Sequence, residues 1–306
     1  MSASSSVSPA TYRAGVWLAV LAAFGFSMKA ILVKLAYATP QAQPVAPITL
    51  LALRMAFSLP FFIFIALRES SNSRPLSPRQ WLAVLALGLL GYYCASIFDF
   101  IGLRYISAGL ERLILFTYPT LTLLIGALFF GQRVGRREIG ALALCYLGIG
   151  AAFAHDLHTS ADSLAVWIGG GFVLLSSIAY ALYLAGSGHL IPLLGASRFT
   201  ALALLVSGLA TLTHFFLAQP VAALVQPWPV YVYALAMALL STVFPVFAQS
   251  AAIRRIGSGR AALIGTLGPL LTIGMGWAVL DEAMSLWQLA GCALVVAGIL
   301  RVSRAG

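Results

Sequence analysis

The sequence predicts an all-α integral membrane protein of ten transmembrane helices, built as two inverted five-helix repeats. Three observations lead there. Hydrophobic residues make up 61% of the chain and charged residues only 8%, where a water-soluble domain carries about 25% charged residues. Apolar runs of about 20 residues, the length that crosses the ~30 Å hydrocarbon core, recur along the whole chain. The second half also falls on the first, without gaps, when the sequence is shifted by 150 residues.

The runs lie at about 14–36, 47–67, 80–103, 107–131, 137–154, 164–187, 198–218, 229–253, 259–280 and 285–302. The Ser-rich start (Ser2 to Ser8) lacks the basic residues and the cleavage-like site of a signal peptide, so the first run is expected to stay in the mature protein. The connections are short, and no soluble domain is expected between spans. The net charge of +10 does not read as a nucleic-acid site, because its distribution alternates. One set of connections holds Arg13, then Arg68, Arg74 and Arg79, then Arg133, Arg136 and Arg137, then Arg198, then Arg254, Arg255 and Arg260, then Arg301 and Arg304. The other set holds Lys34, Arg104 and Arg112, and most of the loop acids: Asp156, Asp162, Asp281 and Glu282. Under the positive-inside rule the Arg-rich set is cytoplasmic, as are both termini. The loops near Asn72 and Arg136 then face inward, and those near Gln41, Ser160 and Gln226 face outward.

The repeat places Arg104-Tyr-Ile-Ser-Ala-Gly109 on Arg254-Arg-Ile-Gly-Ser-Gly259, Tyr118-Pro119 on Gly268-Pro269, and Gly148-Ile149 on Gly298-Ile299. Trp17 meets Trp167, and Ser27 meets Ser177. Residues 1–154 form the first five-helix repeat and 155–306 the second. Five is odd, so the second repeat enters the membrane from the opposite side. Inverted repeats equip one central site with two symmetry-related doors, the basis of alternating access. A large stable bundle without transport is the blander consequence of the same duplication.

The stretch Leu267-Gly-Pro269 to Asp281-Glu282, followed by Trp287-Gln-Leu-Ala-Gly291 and Val296-Ala-Gly298, resembles the end of a repeat in the drug/metabolite transporter superfamily, and within it the ten-span EamA-type exporters. The shared pattern is a mid-helix Pro, an apolar run, a Glu at the membrane edge and a helix opening near a Gly. The first half matches at Pro119, Gly126 and Gly140 and departs at Gln132, which stands in the place of Glu282. The resemblance implies export of small metabolites, with the amino-acid exporters as the nearest analogy.

Ionisable groups inside spans cost ~2.5–3.5 kcal/mol each on insertion scales and are functional candidates by default. Here they are Lys29, Arg54, Asp99, Glu111 and Arg112. At ~1.5 Å per residue, Lys29 and Arg54 lie about 10 Å below the outer face, and Asp99 and Glu111 about 6 Å. Their repeat images, Ala179, Leu204, Gln249, Ala261 and Ala262, are uncharged. Lys29, Arg54, Asp99 and Glu111 are therefore expected to form a gate network in the outer half, while the inner door closes by apolar packing. Asp99 has three candidate roles: binding a substrate amine, carrying a coupling proton, or locking the gate. Snorkelling to the headgroups is the plain reading for Arg112.

Aromatics interrupt the spans: Tyr92, Tyr93, Phe98, Phe100, Tyr118, Tyr180, Tyr183, Phe244, Phe247 and Trp277. A mid-span tyrosine needs a partner for its hydroxyl. Packing accounts for most of these singly; together they suggest an aromatic cavity, with Tyr92, Asp99, Tyr118, Tyr180 and Phe244 as its substrate contacts. Pro119 and Pro269, at equivalent mid-span positions, are expected to kink their helices and are the candidate hinges. Cys94, Cys145 and Cys292 lack metal-ligand spacing and read as packing residues.

The expected function is export of small metabolites, amino acids first and aromatic or bulky apolar ones in particular. The alternative is a multidrug or amphipathic-cation exporter. In a different class stand a channel and an intramembrane enzyme. An enzyme needs a nucleophile with a base, or metal ligands, and His155, His158, His189 and His214 are scattered. No catalytic residue, metal or cofactor is expected. The expected partners are a small-molecule substrate and the lipid bilayer, not nucleic acid. The chain is expected to act as a monomer in the plasma (inner) membrane.

Overall fold

The computed structural model describes residues 9–42, 44–71, 74–130 and 136–303. Asn72, Gln132 and Arg133 lie outside the described residues. The chain is all-helical. It runs as α1 (Pro9–Tyr37), α2 (Pro47–Ser71), α3 (Pro78–Gly88), α4 (Ala95–Gly102), α5 (Ala108–Leu115), α6 (Tyr118–Phe130) and α7 (Arg136–Thr159). It continues as α8 (Ser163–Leu194), α9 (Ala196–Ala218), α10 (Trp228–Ala238), α11 (Phe244–Ile256), α12 (Ser258–Gly265), α13 (Gly268–Leu280) and α14 (Leu286–Ser303). A π turn, Leu89–Cys94, joins α3 to α4, and a second, Leu239–Val243, joins α10 to α11.

Local chemistry sets the helix ends. Ser77 and Gln80 form a reciprocal capping box ahead of α3, which satisfies two amides that the helix cannot pair internally. Ser107 caps α5 and Asp162 caps α8 more simply, each side chain accepting one amide, from Leu110 and Ala165. α13 ends on Asp281 in the left-handed conformation (φ 54°), and the next amide, Glu282 N–H, donates back to Gly276 O. This is the αL termination that closes helices at their C-termini.

Eight stretches among the described residues are long and apolar enough to cross a membrane, including the merged units Pro78–Gly102, Ala108–Phe129 and Trp228–Ile256. α14 contributes a shorter apolar stretch, Leu286–Gly298, and α7 packs along it as the most extensive helix pair among the described residues. That pair is held by small residues. A Cβ on Gly148 would lie 2.5 Å from Gly291 O, and one on Gly291 the same distance from Gly148 O. Close backbone approach of this kind is how helices associate where lipid removes the hydrophobic drive.

The element boundaries recur at the spacing of the sequence repeat. α3 at 78–88 is matched by α10 at 228–238, α5 at 108–115 by α12 at 258–265, and α6 at 118–130 by α13 at 268–280. The π turns begin at 89 and 239. Helix pairings recur too: α1 on α11 and α8 on α4, α1 on α13 and α8 on α6, α2 on α10 and α9 on α3.

The paired prolines sit differently from the sequence expectation of a kink within one continuous helix. The helix is interrupted at Phe116–Thr117 and again at Thr266–Leu267. Pro119 and Pro269 each follow in the first turn of the new segment. Their missing N–H costs nothing there, because first-turn amides have no partner within the helix.

Candidate functional site

α5 is the element around which the buried charges gather. Every residue from Ala108 to Ile114 is buried. Glu111 is fully enclosed and Asp99 is 1% exposed. Lys29 on α1 reaches both: Nζ lies 2.7 Å from Asp99 Oδ2 and 3.4 Å from Glu111 Oε1. One ammonium therefore links α1, α4 and α5. Arg54 lies beside this triad, over the ring of Phe100 at 5.7 Å, with Nε donating to Thr242 Oγ1 at 3.1 Å. Arg112, next to Glu111 on α5, lies over the Phe116 ring at 5.0 Å. Its guanidinium occupies space that a Cβ on Gly268 would fill. The sequence assigned Arg112 to the headgroups; burial inside the protein replaces that, because the Phe116 face supplies a cation–π partner.

A second latch closes the same end. Glu282, swung back by the αL turn at Asp281, accepts the Ala108 amide with both carboxylate oxygens at 3.0 Å. It also pairs with Lys34 at 3.9 Å. A carboxylate at a helix N-terminus meets unpaired amides and the positive end of the helix dipole. Gly276 makes room: a Cβ there would lie 2.9 Å from Glu282 Oε2. Sequence reasoning did not place Glu282 in the gate, because its partner is a backbone amide 174 residues away and leaves no side-chain signal.

The two ends of the molecule differ. α5 packs on α1, α13 and α14. The equivalent contacts of α12, on α8, α6 and α7, are thin or missing among the described residues. Among the described residues the α5 end is packed across the two halves more closely than the α12 end.

An aromatic ladder continues from Phe116, the ring under Arg112. Phe116 meets Tyr118 at 5.9 Å between ring centroids, Tyr118 meets Tyr180 at 5.1 Å, and Tyr180 stacks on Tyr183 at 5.7 Å. Tyr183 continues to Phe199 at 5.8 Å and meets Tyr92 edge-on at 5.0 Å. The Tyr183 hydroxyl donates to the Tyr92 hydroxyl at 3.2 Å. Of the expected substrate contacts, Tyr92, Tyr118 and Tyr180 thus share one surface. Asp99 belongs to the charge triad. Phe244 stands apart, exposed on α11. A cavity of about 320 Å³ opens elsewhere, between Phe61, Phe64, Arg68, Ser197 and Phe247. None of the expected contacts lines it.

The helix breaks are tied across the two halves. Ser27 Oγ hydrogen-bonds Gly268 O at 3.1 Å. Ser177 Oγ meets Thr117 Oγ1 at 2.6 Å and Leu115 O at 3.1 Å. Carbonyls freed at a break inside a membrane need such partners. The signal was legible, since Ser27 and Ser177 coincide in the repeat, although the sequence alone did not say what they bind.

Known proteins agree with this architecture. The chain matches the EamA-like transporter family over residues 13–153 and again over 167–304. It is 30% identical to the uncharacterized transporter YcbK of Bacillus subtilis (strain 168) over 294 residues, covering 91% of this chain and 89% of that one. It is 23% identical to an uncharacterized transporter of Archaeoglobus fulgidus, over 85% of this chain and 89% of that one. A solved crystal structure at 17% identity superposes with a TM-score of 0.65, covering 96% of this chain and 97% of the other, and shares its fold. The chain belongs to the EamA-like transporter family and is a multi-pass membrane transporter of small molecules, not an enzyme.

Proposed function

We propose that the protein exports small metabolites by alternating access, with amino acids carrying aromatic or bulky apolar side chains as its first substrates. In this reading ten spans form two inverted five-helix repeats, 1–154 and 155–306, and the substrate sits between them against Tyr92, Tyr118 and Tyr180. The observation that carries the proposal is the contrast between equivalent elements. α5 and α12 begin and end 150 residues apart, yet among the described residues α5 packs on α1, α13 and α14 while α12 makes few of the equivalent contacts. Two equivalent doors in opposite states are what alternating access requires. The charges Lys29, Asp99 and Glu111 latch the first door, and Ala261, the image of Glu111, sits in the second. The tyrosine faces favour a substrate with a flat or bulky apolar group, and their hydroxyls favour a polar end. Amphipathic cations are the second candidate class, on the strength of the same faces.

Counterflow in proteoliposomes with a metabolite panel tests this. Saturable exchange of aromatic or branched amino acids is the expected result, lost when Tyr92, Tyr118 and Tyr180 are replaced together by alanine. Single-channel currents in place of saturable exchange would make the protein a channel.

The orientation carries its own expected outcome. Arg198 on α9 bonds Ser70 and the Arg74 carbonyl, and Arg260 lies over Tyr12, which supports one Arg-rich face. With that face cytoplasmic, an impermeant thiol reagent added outside labels single cysteines at Gln41, Ser160 and Gln226 and spares one at Arg74. Labelling at Arg74 would invert the assignment.

A further inference from the structure

We infer that Arg112 and the first turn of α13 form the binding site for the substrate's carboxylate, and that the protein selects carboxylate-bearing substrates over amines of the same shape. That the occupant is the transported substrate rests on the transporter reading above; the anion site itself rests on geometry.

Arg112 is a buried cation without a counter-charge of its own. It is 8% exposed, and its Nε is buried without a hydrogen-bond partner. A guanidinium cannot shed its charge as an amine can, so burial leaves it in need of an anion. The carboxyl groups nearby are engaged elsewhere. Asp99 and Glu111 share Lys29, and Arg54, held by Thr242, also lies within reach of Asp99. The cluster thus sets Lys29, Arg54 and Arg112 against only Asp99 and Glu111. The elements packed on α5 bring no spare acid. α1, α8, α13 and α14 contain no Asp or Glu. On α7, Asp156 meets Gln288, and Glu138 stands in the first turn, at the opposite end of the helix. Glu282 accepts the Ala108 amide and faces Lys34.

The guanidinium is aimed at a second positive feature. A Cβ on Gly268 would lie 2.8 Å from Arg112 Nη2, so the fork rests against the residue that opens α13 after the break at Thr266–Leu267. A helix N-terminus is the positive end of the helix dipole and carries amides without partners in the helix. A carboxylate between the two meets both, and arginine's planar fork matches its two oxygens. The repeat puts Ala262 and Tyr118 where Arg112 and Gly268 stand, so the second half does not reproduce this pairing.

The site adjoins the tyrosine surface. Phe116, under Arg112, is followed by Tyr118 and Tyr180, both half-buried and both within electrostatic reach of the guanidinium. A substrate with its carboxylate on Arg112 lays a flat apolar group against these rings. An amine of the same shape brings a second cation to an unpaired one, which disfavours the amphipathic cations.

Thermal unfolding of the purified protein in detergent reads binding without transport, through the stabilisation that a bound ligand confers. Three probes share a phenyl group: L-phenylalanine, 3-phenylpropionate, which lacks the amine, and 2-phenylethylamine, which lacks the carboxylate. The wild type is expected to bind both carboxylates, and the amine far more weakly. Arg112→Gln should lose about ten- to hundredfold in affinity for the carboxylates, the range for a hydrogen bond to a charged group, and bind the amine no worse. Arg112→Lys, which keeps the charge without the fork, should fall between. Gly268→Ala displaces the guanidinium from the other side of the contact and should also weaken carboxylate binding. Arg104→Gln, at an exposed cation, should match the wild type. Circular dichroism checks that each variant folds. Three results overturn the anion site: equal wild-type affinity for phenylalanine and 2-phenylethylamine, no stabilisation by either carboxylate, or full carboxylate affinity in folded Arg112→Gln. Saturable counterflow by a protein that fails this test leaves the transporter reading standing. Carboxylate binding that Arg112→Gln abolishes, without saturable counterflow in the wild type, keeps the anion site and overturns the carrier.

Discussion

Lys29→Met is expected to unlatch the α5 end and collapse turnover. The substitution keeps the length and apolar stem of the side chain and removes the one ammonium shared by Asp99 and Glu111, at 2.7 Å and 3.4 Å. Taking one partner from a buried ion pair costs about 3–5 kcal/mol, because the opposite charge stays behind unpaired. In the shut state that cost falls in full. In an open state water solvates the carboxyl groups and most of it disappears. The door equilibrium then moves toward open by about two to three and a half orders of magnitude. A cysteine at Gln288 reports this, since Gln288 is 6% exposed and lies against Gly109 where α5 packs on α14. Its labelling from outside should rise steeply in Lys29→Met, while counterflow falls. Arg104→Met, which removes an exposed cation on the same side, should change neither. Unchanged labelling in Lys29→Met would mean that α5 is held by its apolar contacts and by Glu282, not by the triad.

The second large effect is structural. Gly148→Leu should destabilise the protein by ~3 kcal/mol or more, at the upper end of overpacking costs, because the obstacle is backbone. The new Cβ would meet Gly291 O at 2.5 Å and Leu294 Cβ at 2.9 Å, so the helices must move apart. Separation uncovers Cys145, Ala152, Cys292 and Val295, all of them fully buried. It also breaks the contact of Cys145 Sγ with Val295 O. Gly150→Leu is the matched control on the same helix. Nothing lies within 4 Å of a Cβ there, and leucine favours a helix over glycine by somewhat less than the ~0.8–1 kcal/mol that separates alanine from glycine. Denaturant titration in detergent should separate the two variants, with Gly150→Leu at or above wild type. Equal midpoints would mean that α7 and α14 do not hold the fold together.

The gate could be read only in part from the sequence. Charged residues inside apolar runs are conspicuous, so Lys29, Arg54, Asp99 and Glu111 were identifiable as a set, and the absence of charge at their images marked one half as special. Which of them pair was not readable. Lys29 and Asp99 are 70 residues apart, and their meeting depends on the rotation of α1 and α4 about their own axes. A uniformly apolar helix carries no periodic signal of that rotation. Glu282 went unplaced for a related reason: what it binds is an amide exposed by the start of α5. The helix breaks before Pro119 and Pro269 were read as kinks, because a proline tells only that a backbone bond is missing. Whether the helix bends there or restarts is decided by partners such as Ser27 and Ser177.

By itself the sequence determined the solvent and the plan. Long apolar runs admit only a bilayer, since the backbone groups of each run must be satisfied within it. A 150-residue repeat that keeps Arg, Pro and Gly in register reproduces the element boundaries of α3, α5 and α6 in α10, α12 and α13. These properties are local or come from comparing the chain with itself. The tertiary structure alone decided which faces of the helices meet, how the tyrosines of α6 and α8 line up into a ladder, and that among the described residues α5 packs across the halves more closely than α12. A transporter must reach both arrangements with one sequence. The choice between them lies in a few contacts across the two halves, and those contacts exist only once the helices have packed.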